Sequence, residues 1–262
     1  MGIFRLGHVE VKVPDLELAT AYYTEVLGLL EVAREPERVY LKCWDEHDHH
    51  SVTLRYAPRY GLDHAMFKVE SPDDLDDLER RLLAYGCSVR RMAAGEELGM
   101  GEAIRFETPT GHVFELACRV EKVGNLLPRT NPPPAPMGLT GIHPPRIDHV
   151  FLTCEDVDLA TDFFMGVLDF RLTEQLVARD GHRLASWLER SYSPHDLALV
   201  TGPQGGLHHF AFWLDDWNEV RKAADILAYH GVRIDMVPTR HVLTRGYTIY
   251  FFDPVGNLND VF

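Results

Sequence analysis

The stretch LATAYYTEVLGL, residues Leu18–Leu29, returns as LATDFFMGVLDF at Leu159–Phe170. Each copy starts ten residues after a histidine, His8 or His149, and each histidine sits in an apolar run, GHVEVKV or DHVFLTC. Alternation predicts a strand, and the Leu/Ala/Tyr/Phe spacing predicts an amphipathic helix. Both halves therefore open as strand, turn, helix. A second match follows: HAMFKVESPDDLDDLERRLLAYGCSV from His64 and HFAFWLDDWNEVRKAADILAYHGVRI from His209. Each half then closes on a turn and a strand, ETPTGHVFEL or FDPVGNLNDV.

Such self-similarity marks a duplicated architecture. The predicted fold class is α+β, built from tandem βαβββ modules, two per domain, that form two curved, barrel-like sheets. Between the halves, VEKVGNLLPRTNPPPAPMGLTGIHPP is dense in proline and glycine, which disfavours helix and central strand alike. The expected division is a domain over residues 1–119, a linker over 120–146 and a second domain over 147–262.

Composition narrows the partners. A net charge of −14 over 262 residues lacks the basic footprint that nucleic acid or an anionic membrane requires. No run of eighteen apolar residues is present, so no membrane span is expected. MGIFRLGHVEVKV has no basic start leading into a long apolar core, so a signal peptide is not expected either. Cys43, Cys87, Cys118 and Cys154 show no CxxC spacing, which disfavours a thiolate metal site or disulfide framework and points to a cytoplasmic protein.

The spacing of polar residues carries the chemistry. His209 and Asp260 are fifty-one residues apart, as are His64 and Glu115. His195 precedes His209 by fourteen residues, as His50 precedes His64. Each half thus places two strand histidines and one carboxylate in the same register: His149, His209 and Asp260 in the second, His8, His64 and Glu115 in the first. Two imidazoles and one carboxylate on one face leave three positions open, which suits non-haem Fe(II) binding an organic substrate together with O₂. Only the second half adds His241 and Tyr250. Aligning Pro109 and Gly111 with Pro254 and Gly256 sets Tyr250 opposite Arg105 and His241 opposite Glu96. The first-half triad is therefore expected to be a non-catalytic relic. His208 should point to the other face of its strand.

RIDHVFL around His149, SPHDLAL around His195, LHHFAFWL around His209 and TRHVLTRGYTIYFFDPVGN from Thr239 resemble the catechol 2,3-dioxygenases. These are type I extradiol dioxygenases of the vicinal oxygen chelate superfamily. The resemblance spans essentially the whole chain. It implies a glyoxalase-like fold and extradiol cleavage of a catechol-type small molecule by O₂, giving a muconic semialdehyde. Its implied cofactor is Fe(II), with Mn(II) as the alternative, held by His149, His209 and the position of Asp260. It further implies that His195 faces oxygen, that His241 and Tyr250 hydrogen-bond the substrate hydroxyls, and that the chain forms a homo-oligomer. The family carries glutamate where this chain has Asp260; the shorter side chain should weaken the hold on iron. Two other functions compete: a metal-dependent lyase or isomerase of the glyoxalase kind, which uses no O₂, and a metal-free small-molecule binding protein.

Overall fold

The computed structural model describes residues 2–262. The first half contains β1 (Ile3–Val13), α1 (Leu16–Ala21), β2 (Leu30–Glu35), β3 (Arg38–Lys42), β4 (Val52–Tyr56), β5 (Gly61–Val69), α2 (Pro72–Tyr85), β6 (Val89–Met92), β7 (Ala103–Glu107) and β8 (Val113–Ala117). The second half repeats that order: β9 (Arg146–Cys154), α3 (Val157–Leu168), β10 (Arg171–Val177), β11 (Arg183–Glu189), β12 (Leu197–Thr201), β13 (Gly206–Trp213), α4 (Trp217–Tyr229), β14 (Ile234–Arg240), β15 (Tyr247–Phe252) and β16 (Leu258–Val261).

Each half forms one eight-stranded sheet, ordered β2-β3-β4-β1-β5-β8-β7-β6 and β10-β11-β12-β9-β13-β16-β15-β14. The two orders match strand for strand, as the repeat requires. Within every module the first strand lies parallel to the fourth and the other ladders are antiparallel. Residues 118–145 hold no helix or strand beyond single bridges at Val120 and Lys122. The architecture is the α+β βαβββ arrangement expected from the sequence.

The four helices begin alike because the same chemistry starts them. The side chains of Asp15, Ser71, Asp156 and Asp216 accept from backbone N–H groups of the first turn. Each such cap contributes about 1 kcal/mol. Helix α2 adds Pro72 in its first turn and ends on Gly86, whose φ of 100° a side chain would resist. Leu75, Leu78 and Leu82 form its buried stripe.

The middle strands differ from the simple alternation expected of them. In β1 the residues Leu6–Val11 are buried without a break, and in β5 the run His64–Val69 is buried. Both faces of the sheet's centre are covered, so polar side chains there are enclosed as completely as the aliphatic ones.

Packing defines two compact units, each drawing on both halves of the sequence. One gathers residues up to Gly7, Leu62–Val120 and His149–His208. Aromatic rings knit it together: Tyr85 on Phe163 at 5.0 Å, Phe67 on Phe170 and Phe114 on Phe164 both at 5.3 Å. Edge-on pairs of this kind add about 0.5–1.5 kcal/mol each beyond their buried area. Arg81 also grips Asp169 through two nitrogens, at 2.6 and 2.8 Å. The other unit gathers His8–Gly61, Glu121–Asp148 and His209–Phe262. Its interior link is polar: Tyr22 donates to Asn259, Tyr23 donates to Asp253, and Asn257 donates to the Lys12 carbonyl.

Candidate metal centre

His209 lies on β13 and Asp260 on β16, two parallel strands whose register sets Ala211 beside Asp260. On the other side of β16, Tyr250 of β15 stands directly opposite Asp260. Directly opposed residues share a face of the sheet, so the phenol and the carboxylate point the same way. Thr248, two residues before Tyr250 on the same face, donates its hydroxyl proton to Asp260 Oδ1. The second oxygen, Oδ2, lies 3.9 Å from His209 Nε2. His149 sits on β9, the strand next to β13. His149, His209 and Asp260 each present a buried ligand atom within 4.8 Å of the other two.

The outer polar groups also gather. The His195 and His149 rings are 4.0 Å apart, and the Tyr250 ring is 4.7 Å from that of His209. The Tyr250 hydroxyl and His241 Nε2 form a hydrogen bond of 2.9 Å. His241 lies in the loop after β14, held by its N–H on the Gly246 carbonyl at 3.0 Å. Gly246 is needed there, because a Cβ would meet the Phe262 ring at 1.9 Å. His208 stacks on Phe151 at 4.8 Å, on the face away from the cluster, as strand alternation predicted. All six site residues singled out from the sequence thus fall in one neighbourhood.

Burial sets the protonation states. It pushes the Asp260 carboxyl well above the usual carboxylate range; Thr248 partly offsets this and the charge of Asp148 adds to it. Burial, with Asp260 and Asp235 adding to it, raises Tyr250, so the phenol keeps its proton. Burial lowers His241, which favours neutral imidazole. An enclosed carboxylate beside a second acid is costly unless a cation neutralises it. Two imidazole nitrogens and that oxygen are the donor set a divalent first-row metal takes, with room left for exogenous ligands. The residues fit a metal.

The first half repeats the geometry with different chemistry. Arg105 stands opposite Glu115 as Tyr250 stands opposite Asp260, and Met66 pairs Glu115 as Ala211 pairs Asp260. The His8 and His50 rings are 4.4 Å apart, echoing His149 and His195. His8, His64 and Glu115 come together as their spacing foretold, and Glu97 joins them. Glu96, which the alignment set against His241, is exposed and paired with Arg90. The loop is offset by one residue, so its neighbour Glu97 turns inward. Burial is the main cause raising Glu115 to about 7; His64 and Arg105 oppose the rise and Glu97 reinforces it.

Sequence reasoning also passed over Thr248 and Asp63. Asp63 Oδ2 lies 3.1 Å from His64 Nδ1. For Thr248 a signal existed, since it shares the face of Tyr250 by simple alternation.

Comparison with known proteins agrees with this geometry. Residues 146–261 match the Glyoxalase/Bleomycin resistance protein/Dioxygenase superfamily, and residues 62–121 match the catechol 2,3-dioxygenase-like N-terminal domain. A metapyrocatechase from Pseudomonas sp. (strain CF600) is 44% identical over 264 residues, covering 100% of this chain and 86% of the relative. The chain belongs to the catechol 2,3-dioxygenase family. It is an extradiol ring-cleaving enzyme of the vicinal oxygen chelate fold. The crystal structure of the 2,3-dioxygenase LapB from Pseudomonas sp. KL28 superposes with a TM-score of 0.96 at 41% identity, over 100% of this chain and 92% of that one. A manganese-dependent 2,3-dihydroxybiphenyl 1,2-dioxygenase from Geobacillus genomosp. 3 is 31% identical, with 96% and 82% of the two chains covered. Membership in this family sets aside the metal-free binding and glyoxalase-type readings, and it makes metal dependence a family property. No helix among the described residues is long and apolar enough to cross a membrane.

Proposed function

We propose that this enzyme opens a catechol-type ring beside its two hydroxyls with O₂, using Fe(II) held by His149, His209 and Asp260. The observation that carries the assignment is the buried cluster of those three ligand atoms within 4.8 Å, next to the Tyr250–His241 pair. Bound Fe(II) would supply adjacent positions for a diol and for O₂, so that the two reactants meet without a separate encounter.

The chain's own groups do the rest. Tyr250, kept protonated by burial, donates a hydrogen bond to one diol oxygen and favours the singly deprotonated diol. Neutral His241, as its Nε2–H tautomer, donates to the Tyr250 oxygen, fixing the phenol's direction and leaving its single proton for the diol oxygen. His195, beside His149, stands on the oxygen side, where an imidazole stabilises developing negative charge and returns a proton to product. Thr248 holds one oxygen of Asp260 so that the other faces the ligand cluster.

The manganese-dependent relative supports one second reading, Mn(II) in the same site. Apoprotein reloaded without air with Fe(II) or with Mn(II), then given catechol and O₂, decides between them by oxygen uptake and the yellow ring-fission product. No uptake with either metal overturns the assignment. Residues 147–262 then form the catalytic half and 1–119 the non-catalytic one, joined by 120–146. Four free cysteines are in keeping with a reducing cytoplasm, and a homo-oligomer is the expected assembly.

A further inference from the structure

The cluster in the first half gathers His8, His64, Glu97 and Glu115. His64 Nε2 lies 3.8 Å from Glu97 Oε1 and 3.6 Å from Glu115 Oε2. These separations are too long for hydrogen bonds, which end near 3.2 Å. They match the roughly 3.5 Å between neighbouring ligands around an ion bound at about 2.0–2.2 Å in tetrahedral geometry. Glu115 is fully buried, yet neither of its oxygens accepts a hydrogen bond from any described residue, and nor does Glu97 Oε2. Buried oxygens in that condition call for a partner.

The surroundings aim the imidazole at the same point. With its proton on Nδ1, 3.1 Å from Asp63 Oδ2, His64 would turn the Nε2 lone pair toward Glu97 and Glu115. A carboxylate behind the imidazole is the usual support of a metal-ligating histidine. Arg105 lies 2.6 Å from Asp63 and 3.3 Å from Glu115 Oε1, the oxygen away from His64. Three acidic side chains share the enclosed space with one guanidinium, a donor set that suits a divalent cation. His8 supplies the fourth donor, its ligand atom also within 4.8 Å of the others.

We propose that His8, His64, Glu97 and Glu115 bind a second divalent cation of the Zn(II) class. Four protein ligands close the coordination shell, whereas His149, His209 and Asp260 leave it open. Closed N/O sites are structural and open ones catalytic. The first-half ion therefore fastens the Glu97 loop to β5 and β8 and takes no part in ring cleavage. Arg105 and Glu96 stand where the second half has Tyr250 and His241, which bears on catalysis and leaves the ion's donors in place. The rival arrangement has Arg105 donating to His64 Nδ1, 2.9 Å away, with a proton on Nε2 shared among the carboxylates in place of the metal.

The experiment uses the full chain, stripped of metal, incubated with Zn(II) and freed of excess by gel filtration. Metal is counted per chain in wild type, Glu97→Gln, His209→Ala and the double variant. The proposal expects two ions, one, one and none. Zn(II) should raise the melting temperature of His209→Ala and leave that of the double variant unmoved. Glu97 lies on a loop, so its amide keeps shape and costs little in folding; Fe(II)-loaded Glu97→Gln should keep catechol cleavage within about twofold of wild type. One ion in wild type, lost on His209→Ala and untouched by Glu97→Gln, overturns the proposal and leaves the shared proton. That result would not bear on catalysis, which oxygen uptake tests separately.

Discussion

Thr248→Val tests whether the strand beside the metal centre sets metal affinity. The change keeps a β-branched side chain of nearly the same volume, so β15 loses a hydroxyl and little else. That hydroxyl donates to Asp260 Oδ1, and both residues are fully buried, so no water replaces it. A hydrogen bond to a charged group is worth about 1.5–3 kcal/mol. Metal binding needs the ionised carboxylate. Burial already drives Asp260 toward its neutral form and Thr248 opposes that drive, so its loss makes ionisation harder. The cost therefore falls on the metal-loaded state, and about 1.5–3 kcal/mol corresponds to a roughly 10–150-fold weaker dissociation constant. Anaerobic competition against a chelator of known affinity reads this directly. At saturating Fe(II), KM for catechol should stay within about twofold, because substrate contacts are untouched. Thr248→Ser restores the donor and should recover most of the affinity. Wild-type affinity in Thr248→Val, or no recovery in Thr248→Ser, would refute the reasoning.

Three further outcomes are expected. His195→Phe should retain metal and slow ring cleavage by about 10²-fold or more, the usual scale for a lost acid–base group; wild-type turnover would make His195 a packing residue. Asp260→Glu should retain more metal through dialysis and cleave catechol no more slowly, because one more methylene, about 1.5 Å, extends the carboxylate toward the imidazoles with no change of charge. Less metal in the glutamate variant would show the site is shaped around aspartate. Buried His112 bonds Thr110 and the Gly206 carbonyl, and burial lowers its folded pKa below the unfolded value near 6.5. As pH falls the unfolded chain takes the proton first, so the contribution is intact above about 6.5 and is lost as pH falls through the lowered folded value. Denaturation curves of wild type between pH 7 and 5 should thus fall more steeply than those of His112→Asn, by at most about 1.4 kcal/mol per pH unit; equal slopes would contradict the assignment.

What the sequence disclosed was whatever repeats. Equal spacings named His149, His209 and Asp260, and the matching Pro-x-Gly turns aligned Tyr250 with Arg105, a pairing the strand registers reproduce. Periodicity works here because two residues on neighbouring strands share a face whenever their offset is fixed, whatever lies between. Residues that act by closing a local gap leave no such trace. Thr248 has Ala103 as its counterpart, so duplication gives no second copy to recognise; alternation sets it on the face of Tyr250, and the pairing of β15 with β16 brings its hydroxyl to Asp260. Glu97 hides for a different reason. A loop has no period, and a one-residue offset moved Glu96 into solvent against Arg90 and turned Glu97 inward. The sequence expectation of an idle first-half triad rested on its missing acid–base groups, Arg105 for a tyrosine and no histidine like His241. Those absences argue against catalysis alone. The ability to hold a cation depends on enclosed donors, and Glu97 gives the first half one more of them than the second half has.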